Sequence, residues 1–481
     1  MPTPPRSTHA PGASIRQRAA LLAGRVARDA TRRLGRGGGT ALPGLVAGTL
    51  APDLIEAAGR LPGLGAVTVT GTNGKTTTTH LLAAIAREAG WEPLTNRSGS
   101  NLARGLVTAL VDSAGATGEV ERRAGRLGIY EVDEAVLPTV FGRLRPRVAV
   151  FLNLFRDQLD RYGEIDSVAE GWAAMLPSEA EATREEWAPT LVLNADDPSV
   201  ALLAEDAPGR VVWFGIDDEG VALPGGEHAS DARFCRCGSR LHHERQFMGH
   251  VGHWSCPACG RHRARPDIAA SAVRLDAEGS DVEVRIGDAC LSLRVPTAGL
   301  YSVTNALAAL AAAHALGAPA DVALRAIAAA GPAFGRQERF EVDGRHIRIW
   351  LAKNPAGLNE IVRALIASDG PKHLLAMLND GIQDGKDVSW IYDADLERLA
   401  PQIGSLVCAG DRADDMALRF AIGGMTAAAV IAETEDALDA ALDRTPSGGT
   451  LDVIATYTAM IDVREAVARR AGVGSYWEDP S

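Results

Sequence analysis

The sequence predicts an α/β protein with two mainly parallel sheets in series, and three observations carry that expectation. A β-branched strand, Val67 to Thr70, runs through a glycine loop into a helix, Thr76 to Ala89. Short apolar runs then alternate with helical stretches along most of the chain, the pattern of a sheet covered by helices on both faces. Between about Val211 and Pro266 the rhythm breaks into Gly, Cys, His and Arg, which reads as a small inserted module. With 481 residues, the chain has material for roughly two to four domains.

Taken in order, residues 1–60 form an N-terminal lead with a basic helix over Ile15 to Leu34 and a turn-rich stretch, Gly35 to Thr40. A nucleotide-binding α/β domain over 61–335 follows, with further strands at Leu127 to Val132, Val148 to Leu152 and Leu191 to Leu193. The module at 230–265 interrupts it. The domain resumes through Val282 to Val295 and the alanine-rich helix Val303 to Leu316. After a boundary at Gly331 to Arg339, a second α/β domain spans 336–481, with apolar runs at Ile347 to Leu351, Leu374 to Leu378, Ser405 to Cys408 and Leu451 to Ile454.

Net charge is −12 and the basic residues are dispersed, so no nucleic-acid partner is expected. The rival reading, a zinc-ribbon protein that acts on nucleic acid, draws on arginines near the cysteines but lacks interleaved aromatic residues. No apolar run reaches the ~18 residues of a membrane span and the start lacks a signal-peptide core, so a cytoplasmic protein is expected. The basic helix over Ile15 to Leu34 is either a solvated surface or an element lying on the inner face of an anionic membrane. Lysine is rare: Lys75, Lys353, Lys372 and Lys386 are the only four.

Two patterns carry chemistry. In Thr70-Gly71-Thr72-Asn73-Gly74-Lys75-Thr76-Thr77, backbone N–H groups of Gly71 to Gly74 can wrap phosphate oxygens at a helix N-terminus. Lys75 then reaches the β/γ-phosphates and Thr76 ligates Mg²⁺. Cys235-Arg-Cys237-Gly and Cys256-Pro-Ala-Cys259-Gly offer four thiolates to one Zn²⁺, as in a zinc ribbon. The first pair is one residue short of C-x₂-C, so a metal-free ribbon, or replacement of one ligand by His242, His243 or His253, stays open. Cys290 and Cys408 read as buried core residues.

The phosphate loop with Val69 in place of the usual first glycine resembles the Mur ligases and their folylpolyglutamate-synthase relatives. Other segments follow collinearly: Glu131 in Tyr-Glu-Val-Asp-Glu-Ala, Asn153-Leu-Phe-Arg-Asp-Gln-Leu-Asp, Asn194-Ala-Asp-Asp-Pro, Tyr301-Ser-Val-Thr-Asn-Ala and Phe334-Gly-Arg-Gln-Glu-Arg. The resemblance implies a Mg²⁺-binding Glu131 and nucleotide contacts from Asn194, Asp196 and Arg336. Gln158 stands where the family's histidine helps hold a second Mg²⁺, and no lysine between Lys75 and Lys353 is available for the family's carbamylated lysine. Only the residues before Thr70 precede the loop, which leaves no room for a UDP-binding domain and favours a lipid-linked substrate.

The C-terminal segments Leu351 to Glu360, Leu378 to Asp393, Gly410 to Ala417 and Thr456 to Met460 resemble the MurT family, ligase subunits of lipid II isoglutaminyl synthase. That implies a Rossmann-like C-terminal domain and ATP-dependent amidation of the D-glutamate α-carboxylate of lipid II through an acyl phosphate. Neither Cys290 nor Cys408 sits in a nucleophile turn, so ammonia is expected from a partner, which the resemblance makes a GatD glutamine amidotransferase. The resemblance also implies an aspartate serving that partner's Cys-His pair. Of Asp380, Asp384, Asp387 and Asp393, Asp387 is preferred for its rigid Val-Ser-Trp neighbours, with a helix N-cap as the competing role. Lys353-Asn354-Pro355 is either a nucleotide- or substrate-contacting loop or only a turn. The alternative activity is addition of an amino acid, as in other Mur and folylpolyglutamate ligases.

Overall fold

The computed structural model describes residues 13–33, 42–96, 101–157, 165–177, 187–225, 227, 231–276, 278–332 and 337–474. Its largest sheet has nine strands: β1 (Ala66–Thr70), β2 (Glu92–Thr95), β3 (Arg126–Glu131), β4 (Val148–Phe151), β5 (Thr190–Asn194), β6 (Val211–Ile216), then, after the hairpin β7 (His242–Met248) and β8 (Val251–Ser255), β9 (Ile268–Leu275), β10 (Ser280–Ile286) and β11 (Ala289–Val295). Across the sheet the order is β11-β10-β9-β6-β5-β4-β1-β3-β2. From β9 to β2 every neighbour runs parallel, while β9, β10 and β11 form an antiparallel end.

β1 lies inside this sheet and all five of its residues are buried, which explains its unbroken β-branched run. Its strand period still sorts side chains between two cores. Val67 and Val69 face the core under the helices Lys75–Glu88 and Leu300–Leu316, whereas Ala66 faces the N-terminal helices. Leu127 and Ile129 of β3, against Tyr130, divide the same way. The alanine run of Leu300–Leu316 is accounted for by burial on nearly all sides.

A second sheet holds β12 (Glu338–Val342), β13 (Arg345–Leu351), β14 (Lys372–Met377), β15 (Ile403–Ala409), β16 (Ala429–Ile431) and β17 (Thr450–Ala455) in the order β12-β13-β17-β14-β15-β16. Only β12 is antiparallel to its neighbour. Loops after β13 and β14 leave the same edge of the sheet on opposite sides of a change in strand order, where α/β sheets open a crevice.

Three readings need correction. The N-terminal lead is a packed layer of three helices, Ile15–Arg33, Leu42–Leu50 and Leu54–Arg60, whose Leu21, Ala47 and Leu54 are fully buried. The interruption begins after Ile216, because Val211 to Ile216 forms an internal strand of the large sheet. Cys290 is exposed on β11, an edge strand with no neighbour beyond it to cover its outer side chains, while Cys408 is buried as expected. Gly35 to Thr40, Gln158 and Phe334 to Arg336 lie outside the described residues.

Candidate functional site

The turn after β1 is shaped by two glycines. Gly71 has φ +135° and Gly74 has φ +92°, both costly for a side-chain-bearing residue. A Cβ on Gly74 would stand 2.1 Å from Asn305 Oδ1, so backbone approach requires glycine there as well. Asn153, just past β4, fixes the loop: its Oδ1 accepts Asn73 N–H at 2.9 Å and its Nδ2 donates to Asn73 O at 3.0 Å. The Thr72 hydroxyl turns inward, donating to Phe155 O at 3.1 Å and accepting Phe155 N–H at 2.9 Å.

Lys75 opens the helix Lys75–Glu88 and is buried. Its Nζ donates to Gly71 O at 2.7 Å and pairs with Glu134 Oε2 at 2.9 Å. Burial alone would lower the pKa of this amine, but Glu134, Glu131 and Asp133 outweigh it and hold Lys75 protonated. Burial pushes the Glu134 carboxyl up, against the pull of Lys75 and Lys353. Thr76 Oγ1 donates to Glu131 Oε2 at 2.9 Å, and Asn96 clasps the Glu131 backbone at both N–H and C=O. The two residues expected at Mg²⁺ are thus adjacent, and Glu131, Asp133 and Glu134 are all buried beside one lysine. This oxygen-rich, locally anionic donor set suits a hard divalent cation.

Glu134 was not singled out from the sequence, although it lies three residues beyond Glu131; its importance follows from a pairing across 59 residues. Asn194 and Asp196 are fully buried. Asn194 donates to Leu152 O and accepts Asp196 N–H, while Asp196 pairs with Arg263 at 2.6 Å. Their side chains therefore brace the loops beyond β4 and β5 in this conformation.

The second sheet reaches the phosphate loop through the segment after β13. Lys353 Nζ pairs with Asp157 Oδ2 at 2.5 Å. Asn354 Nδ2 donates to Asn73 Oδ1 at 3.0 Å, and Asn354 Oδ1 caps the helix Pro355–Ile366 by accepting Gly357 N–H at 2.8 Å. The turn is observed, with Asn354 capping the helix, and the same side chain also reaches the phosphate loop across the lobes. Between the lobes lies a cleft whose walls include Asn73, Gly74, Thr77, Asn305, Trp350 and Glu360. Glu360 is buried and its carboxyl is pushed up to about 7, first by desolvation.

The four cysteines converge beside β7 and β8. All four Sγ atoms lie within 4.8 Å of one another, with Cys235–Cys259 at 3.6 Å and Cys237–Cys256 at 3.5 Å. Tetrahedral zinc with bonds of ~2.3 Å has sulfur–sulfur edges of roughly 3.8 Å, so the set fits. The shortened Cys-Arg-Cys half still brings both its thiols in, through Gly238 at φ +85°. His243 and His253 are turned instead to His250 O and Ile216 O. The Arg261 backbone N–H, ahead of other contacts, brings the Cys259 thiol down to about 6.

Of the four aspartates offered for a partner's triad, Asp384 is buried and accepts the Thr458 hydroxyl at 2.5 Å, Asp380 pairs with Arg412 at 3.3 Å and Asp393 with Arg156 at 3.4 Å. Asp387 is exposed, and its Oδ1 accepts the Ser389 N–H at 2.8 Å. It makes the local turn and keeps its carboxyl at the surface, held below the usual range by Ser389.

Comparison with known proteins bears on this geometry. The family model described as MurT ligase C-terminal matches residues 351–460, and that of the Mur ligase middle domain matches residues 69–234. The chain is 31% identical over 462 residues to the lipid II isoglutaminyl synthase (glutamine-hydrolyzing) subunit MurT of Streptococcus pneumoniae, covering 94% of this chain and 96% of that one. It is 29% identical to the Staphylococcus aureus protein of the same name, covering 95% and 98%. A pseudomurein peptide ligase type C from Methanothermus fervidus shares the fold at TM-score 0.64 and 23% identity, over 87% of this chain and 80% of that one.

Proposed function

This chain belongs to the MurT family, and on that premise we propose that it is the ligase subunit of a lipid II isoglutaminyl synthase, amidating the D-glutamate α-carboxylate of the stem peptide. The observation that carries the reading is end-to-end similarity to MurT subunits in a chain whose phosphate loop faces a MurT-type C-terminal lobe across one cleft.

A carboxylate is a poor electrophile, so activation comes first. One carboxylate oxygen attacks the γ-phosphorus of ATP; the new O–P bond forms as the bond to ADP breaks. Ammonia's lone pair then attacks the acyl carbon, the C–N bond forms, phosphate leaves with the C–O electrons, and the nitrogen sheds a proton. Such chemistry needs positioning and charge neutralisation above all. The turn from Gly71 to Gly74 would bring phosphate to the helix start, although the N–H groups of Thr72 and Asn73, expected to wrap it, are given to Asn153 in this conformation, and Lys75 supplies a buried positive charge. Thr76 and Glu131 are the residues that would hold Mg²⁺, which spreads the charge on the transferring phosphoryl group. Thr77 lies on the cleft wall, where it would adjoin a bound nucleotide. Arg336, Asn194 and Asp196 are assigned to the nucleotide's surroundings on the resemblance alone.

Zinc is assigned to Cys235, Cys237, Cys256 and Cys259 in a structural role, since four protein ligands leave no open position. Ammonia comes from a GatD-type glutaminase docking over Asp387, where exposed Ile382 and Tyr392 offer apolar contact. The lipid-borne substrate sets the reaction at the membrane surface. No helix among the described residues is long and apolar enough to cross a membrane.

The test is to incubate the chain with lipid II, ATP, Mg²⁺ and high ammonium, and to weigh the product. The expected mass falls by the difference between a hydroxyl and an amino group, with ADP released. Gain of an amino acid, or ATP turnover with lipid II unchanged, overturns the proposal.

A further inference from the structure

The helices Ile15–Arg33 and Leu42–Leu50 pack antiparallel. Arg16 Nε donates to Leu50 O at 2.9 Å at one end, and a Cβ on Gly24 would lie 2.9 Å from Pro43 O further along. Their inner faces, with Ala20, Leu21 and Ala47, are buried against the helix Ala103–Ser113. Their outer faces are not polar. Ile15, Leu22, Val26, Leu42, Leu45 and Leu50 are six of the thirteen exposed large hydrophobic residues among the described residues. Ile15, Leu22 and Val26 fall on one stripe, since seven and eleven residues are close to whole helical turns.

Scattered exposed apolar residues need no explanation; a concentration on one layer does. Charge indicates the occupant. The helix Ile15–Arg33 carries six arginines and a single acid, Asp29, in a chain of net charge −12, and Arg16 and Arg18 are exposed beside the stripe. Arg25 and Arg28 turn inward to Ala114 O and Asp112, so among the described residues the exposed arginines beside the knobs are Arg16 and Arg18, a flanking that suits an interfacial helix whose cations reach anionic headgroups while the knobs enter the acyl boundary.

The placement is also apt. Gly44 presses on the Arg104 carbonyl at the start of Ala103–Ser113, so closely that a Cβ there would come within 1.9 Å of it. Just before that helix, Asn101 O accepts Asp133 N–H at 3.0 Å, beside the acid cluster at Lys75. The apolar layer therefore adjoins the acidic end of the candidate site.

We infer that this two-helix layer is a docking surface for an anionic lipid bilayer, lying on it without spanning it. The inference deepens the proposal that the reaction occurs at a membrane and names the surface that meets it. Its test uses vesicles without lipid II, so a failure here leaves the amidation proposal to its own mass assay.

The full chain is floated with vesicles of phosphatidylcholine alone or doped with phosphatidylglycerol. It is expected to rise with the doped vesicles only, and less at high salt. Leu22→Glu, Val26→Glu and Leu45→Glu together should cut that partition by at least about tenfold, since each carboxylate removes apolar contact and is repelled by the anionic surface. ATP binding and melting temperature of this variant should match the parent, which separates lost docking from lost folding. No flotation with doped vesicles, or equal flotation of parent and variant, overturns the inference. So does sedimentation showing that the same substitutions convert a dimer into a monomer, because the layer then serves a second copy.

Discussion

Glu134 gives the sharpest test of how the site holds its lysine. Glu134→Ala leaves the buried Lys75 ammonium facing a void, with Glu131 and Asp133 as the nearby carboxylates. Removing one partner of a buried pair costs ~3–5 kcal/mol, and the two remaining acids place this case at the low end, about 3 kcal/mol. Glu134→Gln keeps an acceptor oxygen at the same place. It forgoes charge assistance of about 1.5 kcal/mol but also removes a carboxylate that burial disfavours, so the two effects offset to within about 1 kcal/mol. At ~2–4 °C per kcal/mol for a large domain, the alanine variant should melt roughly 6–12 °C below the parent and the glutamine variant within about 4 °C. Differential scanning calorimetry reads both. If the alanine variant melts no lower than the glutamine variant, Glu134 does not hold Lys75 in the way its geometry requires.

Other consequences are open to direct measurement. If Asp387 serves the partner's histidine as proposed, Asp387→Asn should leave ammonium-driven amidation within about twofold of the parent while abolishing glutamine-driven amidation with the glutaminase present. Metal analysis should find zinc bound to the parent and lost in Cys256→Ser, with chelation raising protease cleavage between β7 and β8. Glu360, raised to about 7 from 4.5, favours the folded state fully below pH 4.5 and loses that contribution as pH rises through 7. Glu360→Gln should therefore be more stable than the parent at pH 8, by up to about 3 kcal/mol, with the difference vanishing towards pH 5. Lys353→Ala should raise the KM for ATP more than it lowers kcat, since it releases the contact to Asp157 that closes the cleft.

What was legible in the sequence follows from how local its cause is. The strand, glycine turn and helix around Lys75 depend on consecutive residues, so their expected bounds differ from the observed ones by about one residue. The four cysteines announced themselves by spacing, even with one pair shortened. Val211 to Ile216 was missed although its own residues, Val-Val-Trp-Phe-Gly-Ile, are apolar; Gly215 and the polar turns that follow hid its place as an internal strand, which depends on pairing with β5 and β9. Cys290 was misplaced because edge position depends on strand order, which no local pattern encodes. Glu134 and Glu360 owe their character to burial beside distant segments. Asn354 is the intermediate case: its capping role is readable from the following proline, its reach to Asn73 is not.

The short stretch from Lys353 to Arg363 is tied to the first lobe at both ends. Lys353 and Asn354 hold Asp157 and Asn73, and about two turns later Arg363 Nη1 donates to Phe247 O at 2.7 Å in the hairpin beside the cysteine cluster. These ties are not the only ones: Arg156 of the first lobe pairs with Asp393 at 3.4 Å and Arg398 reaches Glu227 at 4.0 Å. The helix Pro355–Ile366 is therefore one clasp among several spread round the cleft, and Glu360, which it carries, is kept in register with the phosphate loop by contacts on either side of it. Parting the lobes would break these polar contacts together, so the cleft behaves as a latch with several teeth.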